Sequence, residues 1–173
     1  YAKRYQRTFG FYFERAAVCS RAGWFHIDTA GEPAYEQKYA WCGNYQDAVC
    51  VVRDAKGAYF HIDKNGVPLY EERYAYAGDF RNEIAAVRLA DGRFRHIDQN
   101  GQPLNDKFFL DLGVFHKGFA TAKDKTGWFH VDSAGNALYK QRYRQVEPFY
   151  NGFALVETLD GKKQIIDEQG VLN

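Results

Sequence analysis

Four histidines recur in one context. His26, His61, His96 and His130 each follow an aromatic ring by two residues (Trp24, Tyr59, Phe94 or Trp128) and precede an aspartate by two. In an extended chain this alternation puts ring, imidazole and carboxylate on one face of a strand. From such a face a metal centre or an acid–base pair could be built. A metal centre needs imidazole nitrogens converging on one ion at about 2.0–2.1 Å. Equivalent side chains on translationally repeated strands stand in a row and do not converge, although a closed ring of repeats would aim them at a common axis. The fifth copy of the motif carries Ile165 in place of the imidazole, which a packing slot tolerates and a ligand set does not. The residues therefore read as structural, each ring packing on a neighbouring aromatic and bonding the backbone through a nitrogen. No metal site and no cofactor are assigned.

The aspartates receive the same reading. Each is followed three residues later by glycine, and D-x-x-G lacks the alternating oxygen ligands of a calcium loop. An Asp side chain accepts backbone N–H groups within a turn, and glycine supplies the positive φ that lets the chain pair back. The adjacent carboxylates Glu71 and Glu72 belong to a solvated turn. The chain shows no G-x-S-x-G elbow, no H-E-x-x-H, no phosphate-binding loop and no G-x-G-x-x-G. No catalytic residue is assigned, and the chain is read as non-enzymatic.

The elements that position these residues are repeats. FHID at Phe25 to Asp28 returns at Phe60 to Asp63, as RHID at Arg95 to Asp98, as FHVD at Phe129 to Asp132 and as QIID at Gln164 to Asp167, the aspartates being 35, 35, 34 and 35 residues apart. Tyr1, Tyr35, Tyr70, Asn105 and Tyr139 open the units, Tyr5, Tyr39, Tyr74, Phe109 and Tyr143 follow, and Phe11, Tyr45, Phe80, Phe115 and Phe149 mark a third aromatic slot. A small, apolar run then leads through a glycine turn into the FHID strand, which makes a hairpin. Each unit is a β-meander of about three short strands, with no 3.6-residue periodicity. The fold class is all-β: five 34–35-residue repeats over 1–34, 35–69, 70–104, 105–138 and 139–173. Stacking makes one array of them, expected as an open, curved or superhelical solenoid, with a closed five-repeat ring as the alternative.

Composition narrows the function. Lys+Arg at 23 and Asp+Glu at 22 nearly cancel, which gives no basic face for nucleic acid. No apolar run reaches the roughly 20 residues of a membrane helix. Cys19, Cys42 and Cys50 are odd in number and lack zinc spacing; free thiols in a reducing, cytoplasmic compartment are expected. The alternative is a secreted protein with one disulfide and one leftover thiol. The lack of methionine and the start at Tyr1 suggest a piece of a larger multidomain protein.

With the slots laid out, the chain resembles a WG-repeat array, whose units read W-G-x-I-D-x-x-G, a tyrosine-rich linker and F-x-x-G-x-A-x-V. Trp24 and Trp128 match its tryptophan, Asp28, Asp63, Asp98, Asp132 and Asp167 its aspartate, and Gly118 and Gly152 the glycine of F-x-x-G. Phe25, Phe60, Arg95, Phe129 and Gln164 replace the name-giving glycine, and His stands where Tyr is common, which marks a divergent FHID-type subgroup. The resemblance implies a mostly bacterial array with no activity of its own, used for interaction or scaffolding. Arrays of this type resemble those beside a methyltransferase-like domain.

The slots that break the repeat are the candidate binding positions. Two residues past the second tyrosine slot stand Arg7, Trp41, Tyr76, Asp111 and Gln145; after the third aromatic stand Tyr12, Gln46, Arg81, His116 and Tyr150. Trp41 and Tyr76 occupy equivalent positions in adjacent units and are expected to be partly exposed neighbours on one face. Arg7, Asp111, Tyr12, Arg81, His116 and Tyr150 complete the candidate partner-binding set. The expected partner is a protein or a neighbouring domain of the same chain; a glycan stacking on the aromatics is the alternative.

Overall fold

The computed structural model describes residues 4–46 and 48–172; Tyr1, the opening slot of the first repeat, lies outside them. Among the described residues all regular structure is β, in five three-stranded sheets. The first holds β1 (Arg7–Tyr12), β2 (Arg15–Ser20) and β3 (Gly23–Ile27), the second β4 (Trp41–Cys42), β5 (Cys50–Arg53) and β6 (Tyr59–Ile62). The third holds β7 (Tyr76–Ala77), β8 (Ala85–Arg88) and β9 (Phe94–Ile97), the fourth β10 (Asp111–Leu112), β11 (Ala120–Asp124) and β12 (Gly127–Val131), and the fifth β13 (Gln145–Val146), β14 (Phe153–Glu157) and β15 (Lys163–Asp167). Strand order within every sheet follows the chain. Two compact units divide the molecule, Tyr1–Phe80 with Gln99–Gly101, and Arg81–Asp98 with Gln102–Asn173.

Local chemistry fixes each sheet. In the first two sheets the middle strand is buried on both faces, so it is built of small or β-branched residues: Ala16, Ala17 and Val18 in β2, and Cys50, Val51 and Val52 in β5. In the second unit Ala120, Ala122, Ala154 and Val156 bury one face of their strands within one cluster with Phe129, Val131 and Ile166, while Phe153 and Leu155 on the other face of β14 are exposed. At Asp28 the carboxylate accepts the N–H groups of Ala30 and Glu32, while Gly31, at φ 85, donates back to the Asp28 carbonyl. Asp63 and Asp167 bond in the same way. Ahead of the middle strands, two-residue turns such as Asn82-Glu83 and Asn151-Gly152 have both central residues at positive φ, the geometry that matches strand twist in a tight hairpin. They are closed by reciprocal bonds between Arg81 and Ile84 and between Tyr150 and Phe153.

One buried arrangement ties successive repeats together. His26 is fully buried; its Nε2–H donates to the Gly43 carbonyl at 3.0 Å and its Nδ1 accepts from the Tyr35 hydroxyl at 2.5 Å. A carbonyl only accepts, so the proton resides on Nε2 and the tautomer is set. The Tyr45 ring packs edge-on against the imidazole at 4.6 Å. Both tyrosines belong to the following repeat. His61 repeats the pattern with Tyr70, Gly78 and Phe80, and His130 with Tyr139, Glu147 and Phe149. The tyrosine also anchors its own repeat, because its ring lies on the glycine of the D-x-x-G turn: a Cβ built on Gly66 would stand 2.5 Å from Tyr35 Cγ, and one on Gly101 2.7 Å from Tyr70 Cγ. His96 keeps its bond to the Gly113 carbonyl, but Asn105 replaces the tyrosine there.

A cation over a ring supports each FHID strand from outside. Lys38 Nζ lies 3.8 Å from the Phe25 centroid, and the guanidinium carbons of Arg73 and Arg142 lie 3.8 and 3.6 Å from those of Phe60 and Phe129. In the third copy the roles are exchanged: Arg95 takes the ring's position, Phe108 the cation's, and they meet at 4.8 Å.

Burial lowers the pKa of His26, His61 and His96 to about 4, against the opposing effect of their bonds to carbonyls, and lowers that of His130 as well. An unfolded histidine titrates near about 6.5. Between these values the unfolded chain takes up protons that the folded chain refuses, so stability is complete above pH 6.5 and falls as the pH drops towards 4. Each such imidazole costs up to about 3 kcal/mol over that window, and three together match the whole stability of a typical domain. Tyrosine fluorescence should therefore report cooperative unfolding between pH 6 and 4; a protein still folded at pH 3.5 contradicts the assignment. The glycines make a second test. Gly66 and Gly92 both have positive φ, but a Cβ on Gly92 meets nothing within 4 Å. Gly92→Ala should cost about 1 kcal/mol, and Gly66→Ala at least twice as much by displacing Tyr35, as read from urea midpoints.

Candidate functional site

The repeated histidines are committed to the framework. His26, His61 and His130 have both nitrogens taken by a tyrosine hydroxyl and a carbonyl, His96 bonds the Gly113 carbonyl, and among the described residues no group of three His, Cys, Asp or Glu side chains stands where it could hold a metal ion. Cys19, Cys42 and Cys50 are free; burial pushes the Cys42 thiol up to about 12 and raises that of Cys50, so neither is a thiolate nucleophile near neutral pH. No helix of the described chain is long and apolar enough to cross a membrane.

A different set of residues builds a concave site in the first unit. The short edge strands set it up: β4 begins at Trp41 and β7 at Tyr76. Trp41 pairs across the sheet with Arg53 of β5, and Arg53 with Tyr59 of β6, so the three side chains form a row on one face. Trp41 and Tyr59 have their ring centroids 6.4 Å apart, tilted by 56°; Tyr59 and Tyr76 are 5.7 Å apart, tilted by 53°. The Arg53 guanidinium lies 5.8 Å from the Tyr59 centroid. With Val51 below and Asp79 alongside, these groups line a cavity of about 370 Å³. Tyr76 is 44% exposed, and Trp41 and Tyr59 are half-buried.

The bare backbone of Gly43 lets Trp41 and Val51 lie close against it. A Cβ on Gly43 would stand 3.1 Å from both Trp41 Cη2 and Val51 Cγ1, that is, among the groups lining the site. The first repeat has Phe9 in the equivalent place, stacked on Trp24 at 5.2 Å and 27°. Tyr59, the equivalent of Trp24, has Trp41 and Tyr76 as its ring neighbours instead.

Trp41 and Tyr76 thus meet around one cavity, while the other candidate positions stand apart from it. Arg7 and Tyr12 are exposed at the two ends of β1, and Asp111 begins β10 with its carboxylate accepting the N–H of Leu112. Arg81, His116 and Tyr150 precede the two-residue turns; the His116 and Tyr150 rings lie 5.5 Å apart. Two groups of the cavity went unassigned from sequence. Tyr59 occupies a framework slot and Arg53 a strand end, and only the cross-strand register puts them between Trp41 and Tyr76. The signal in the sequence was the hairpin turn at Gly57, which sets Arg53 opposite Tyr59 across the two strands.

Comparison with known proteins places this architecture. The chain is similar to the computationally designed protein Ika8 (TM-score 0.61, 14% identity, covering 94% of this chain and 58% of that one). It is similar to BamB from Moraxella catarrhalis (TM-score 0.54, 15% identity, 92% and 58%) and to the C-terminal WD40 domain of Sif2 (TM-score 0.51, 13% identity, 92% and 54%). At these identities the likeness is one of fold, a succession of small antiparallel sheets of the kind that make propeller blades. The chain spans under three fifths of the length of these three structures. Among curated proteins nothing matches it. The sequence profile of the WG containing repeat matches residues 61–93 and 128–162. Those stretches run from His61 and from Trp128 of the FHID-type strands through the turns and strands that follow, so two of the five repeats are similar to the WG containing repeat.

Proposed function

We propose that the chain is a non-catalytic protein-binding module that takes its partner at the Trp41–Tyr59–Tyr76 groove. The observation that carries this reading is a contrast in burial within one unit. Tyr39, Tyr45, Phe60 and Tyr74 are buried framework rings, whereas Tyr76 and, in part, Trp41 face solvent around a cavity. Large rings left open to water beside an arginine are the residues from which binding hot spots are made. Arg7, Asp111, Tyr12, Arg81, His116 and Tyr150 vary between otherwise equivalent slots and are assigned to secondary contacts.

The reading extends to context. The partner is a separate protein or a neighbouring domain of the same chain, for which the family resemblance suggests a methyltransferase-like companion in a bacterial cytoplasm. Glycan binding is the second reading, favoured by Arg53 and Asp79 beside the rings, where they can bond sugar hydroxyls.

The double variant Trp41→Ala, Tyr76→Ala should keep the far-UV spectrum and lose no more than about 1 kcal/mol of stability, because neither ring is fully buried. Affinity capture compared by quantitative mass spectrometry should recover a partner with the unaltered chain and lose it with the variant. Glycan-array binding by the unaltered chain, with no protein differing between the two captures, would reverse the order of the readings.

A further inference from the structure

Successive repeats meet through one pair of faces. The trailing face of a repeat carries its histidine and the residue opposite on the middle strand: Ala17 faces His26, Val51 faces His61 and Thr121 faces His130. Onto it the next repeat lays its third aromatic, with ring centroids 4.6 Å apart for Tyr45 on His26, 4.3 Å for Phe80 on His61 and 4.0 Å for Phe149 on His130. The head of the next middle strand follows, Cys50 Sγ standing 3.6 Å from His26 Nε2. These third aromatics and histidines are all buried. In the fifth repeat the same cross-strand pair is Leu155 and Ile165, which are 36% and 50% exposed. In the first repeat the third aromatic is Phe11, 44% exposed. The fifth repeat therefore presents a bare trailing face and the first a bare leading face.

A repeat that ends an array in water carries a polar outer face, and neither of these does. Leu155, Ile165 and Leu172 line a hollow on the fifth repeat beside Lys163 and Gln164; Tyr5, Phe11, Ala16 and Val18 are among the residues lining another of about 270 Å³ on the first. The two ends also depart together from the polar pattern inside the chain. His26 and His61 each take a carbonyl from a glycine of the next repeat, Gly43 or Gly78. The first repeat has Phe9 in that glycine's slot, and the fifth has Ile165 in the histidine's. An aliphatic side chain needs neither carbonyl nor hydroxyl, and the first repeat offers it the rings of Phe9 and Phe11. From this match we infer that the chain self-associates head to tail: the leading face of the first repeat packs on the trailing face of the fifth repeat of a second copy, with Phe11 on Ile165. The contact continues between molecules the interface the chain already makes between repeats, and it is heterologous because it joins two different faces. It uses none of the residues that line the Trp41–Tyr59–Tyr76 groove, so the two proposals stand or fall separately.

Sedimentation velocity over a range of concentrations tests the inference. The unaltered chain should show a mass that rises with concentration above that of one copy. Phe11→Lys and Ile165→Lys each put a charge on one face only, and each should sediment as a single copy with an unchanged far-UV spectrum, since both side chains are exposed. Leu155→Lys, on the same face as Ile165, should behave as Ile165→Lys does. An equimolar mixture of Phe11→Lys and Ile165→Lys should give a 1:1 dimer and nothing larger, because each retains the face the other has lost; this recovery also shows that both variants are folded. An unaltered chain that stays single up to its solubility limit overturns the inference and leaves both faces to a further repeat or another protein. Assembly of either variant alone to the extent of the unaltered chain, or a mixture that stays single, overturns the head-to-tail pairing.

Discussion

The structure depends on keeping neutral imidazoles in its interior. A buried charged histidine would carry a large desolvation cost, and the chain avoids it by giving Nε2–H a carbonyl and Nδ1 a tyrosine hydroxyl. Neither partner comes from the histidine's own repeat. Tyr35 and Gly43 follow His26, Tyr70 and Gly78 follow His61, and Tyr139 and Glu147 follow His130. A single meander leaves the imidazole of its own FHID strand unsatisfied until its neighbour folds against it. The clamp therefore acts as a condition on register: a displaced neighbour strands two polar atoms in an apolar setting, at about 1–3 kcal/mol each.

Because the framework is over-determined in this way, the groove can be left under-packed. Gly43 withholds a side chain and so lets Trp41 lie against its backbone, while Tyr59 and Tyr76 remain partly bare around the cavity. Trp41, Tyr59 and Tyr76 take no part in the buried His–Tyr contacts, so these rings can vary without loosening the clamp, whereas Gly43 serves it through its backbone carbonyl. This separation explains why identical slots recur beside slots as different as Arg7, Trp41 and Asp111.

Much of the fold was legible in the sequence, since a motif repeated five times averages out the ambiguity of any one copy. The D-x-x-G turns, the hairpins and the packing role of the histidines follow from residue type and spacing alone. The candidate site was legible only in part. Trp41 and Tyr76 differ from their equivalents and so draw notice, but Tyr59 sits in the same slot as Trp24, Phe94 and Trp128, and nothing in its own repeat distinguishes it. What makes it part of a cavity is the cross-strand register that sets it between Trp41 and Tyr76, an effect between strands that spacing along one chain does not carry. The exchange of Arg95 and Phe108 was hidden for the same reason: each looks like a lapse from the pattern until the two are seen to touch.

That exchange bears on how such arrays change over time. Lys38–Phe25, Arg73–Phe60 and Arg142–Phe129 place the cation on one side, Arg95–Phe108 on the other, with the attraction retained. One substitution cannot convert the first form into the second; the intermediate holds either two rings or two cations. Two rings still attract, whereas two cations repel, so the ring–ring intermediate is the accessible route and the order of the mutations is constrained. A residue moved alone from the third repeat into another would meet the wrong mate. The inheritable unit here is the pair, and recombination between repeats is tolerated where its breakpoints leave that pair intact.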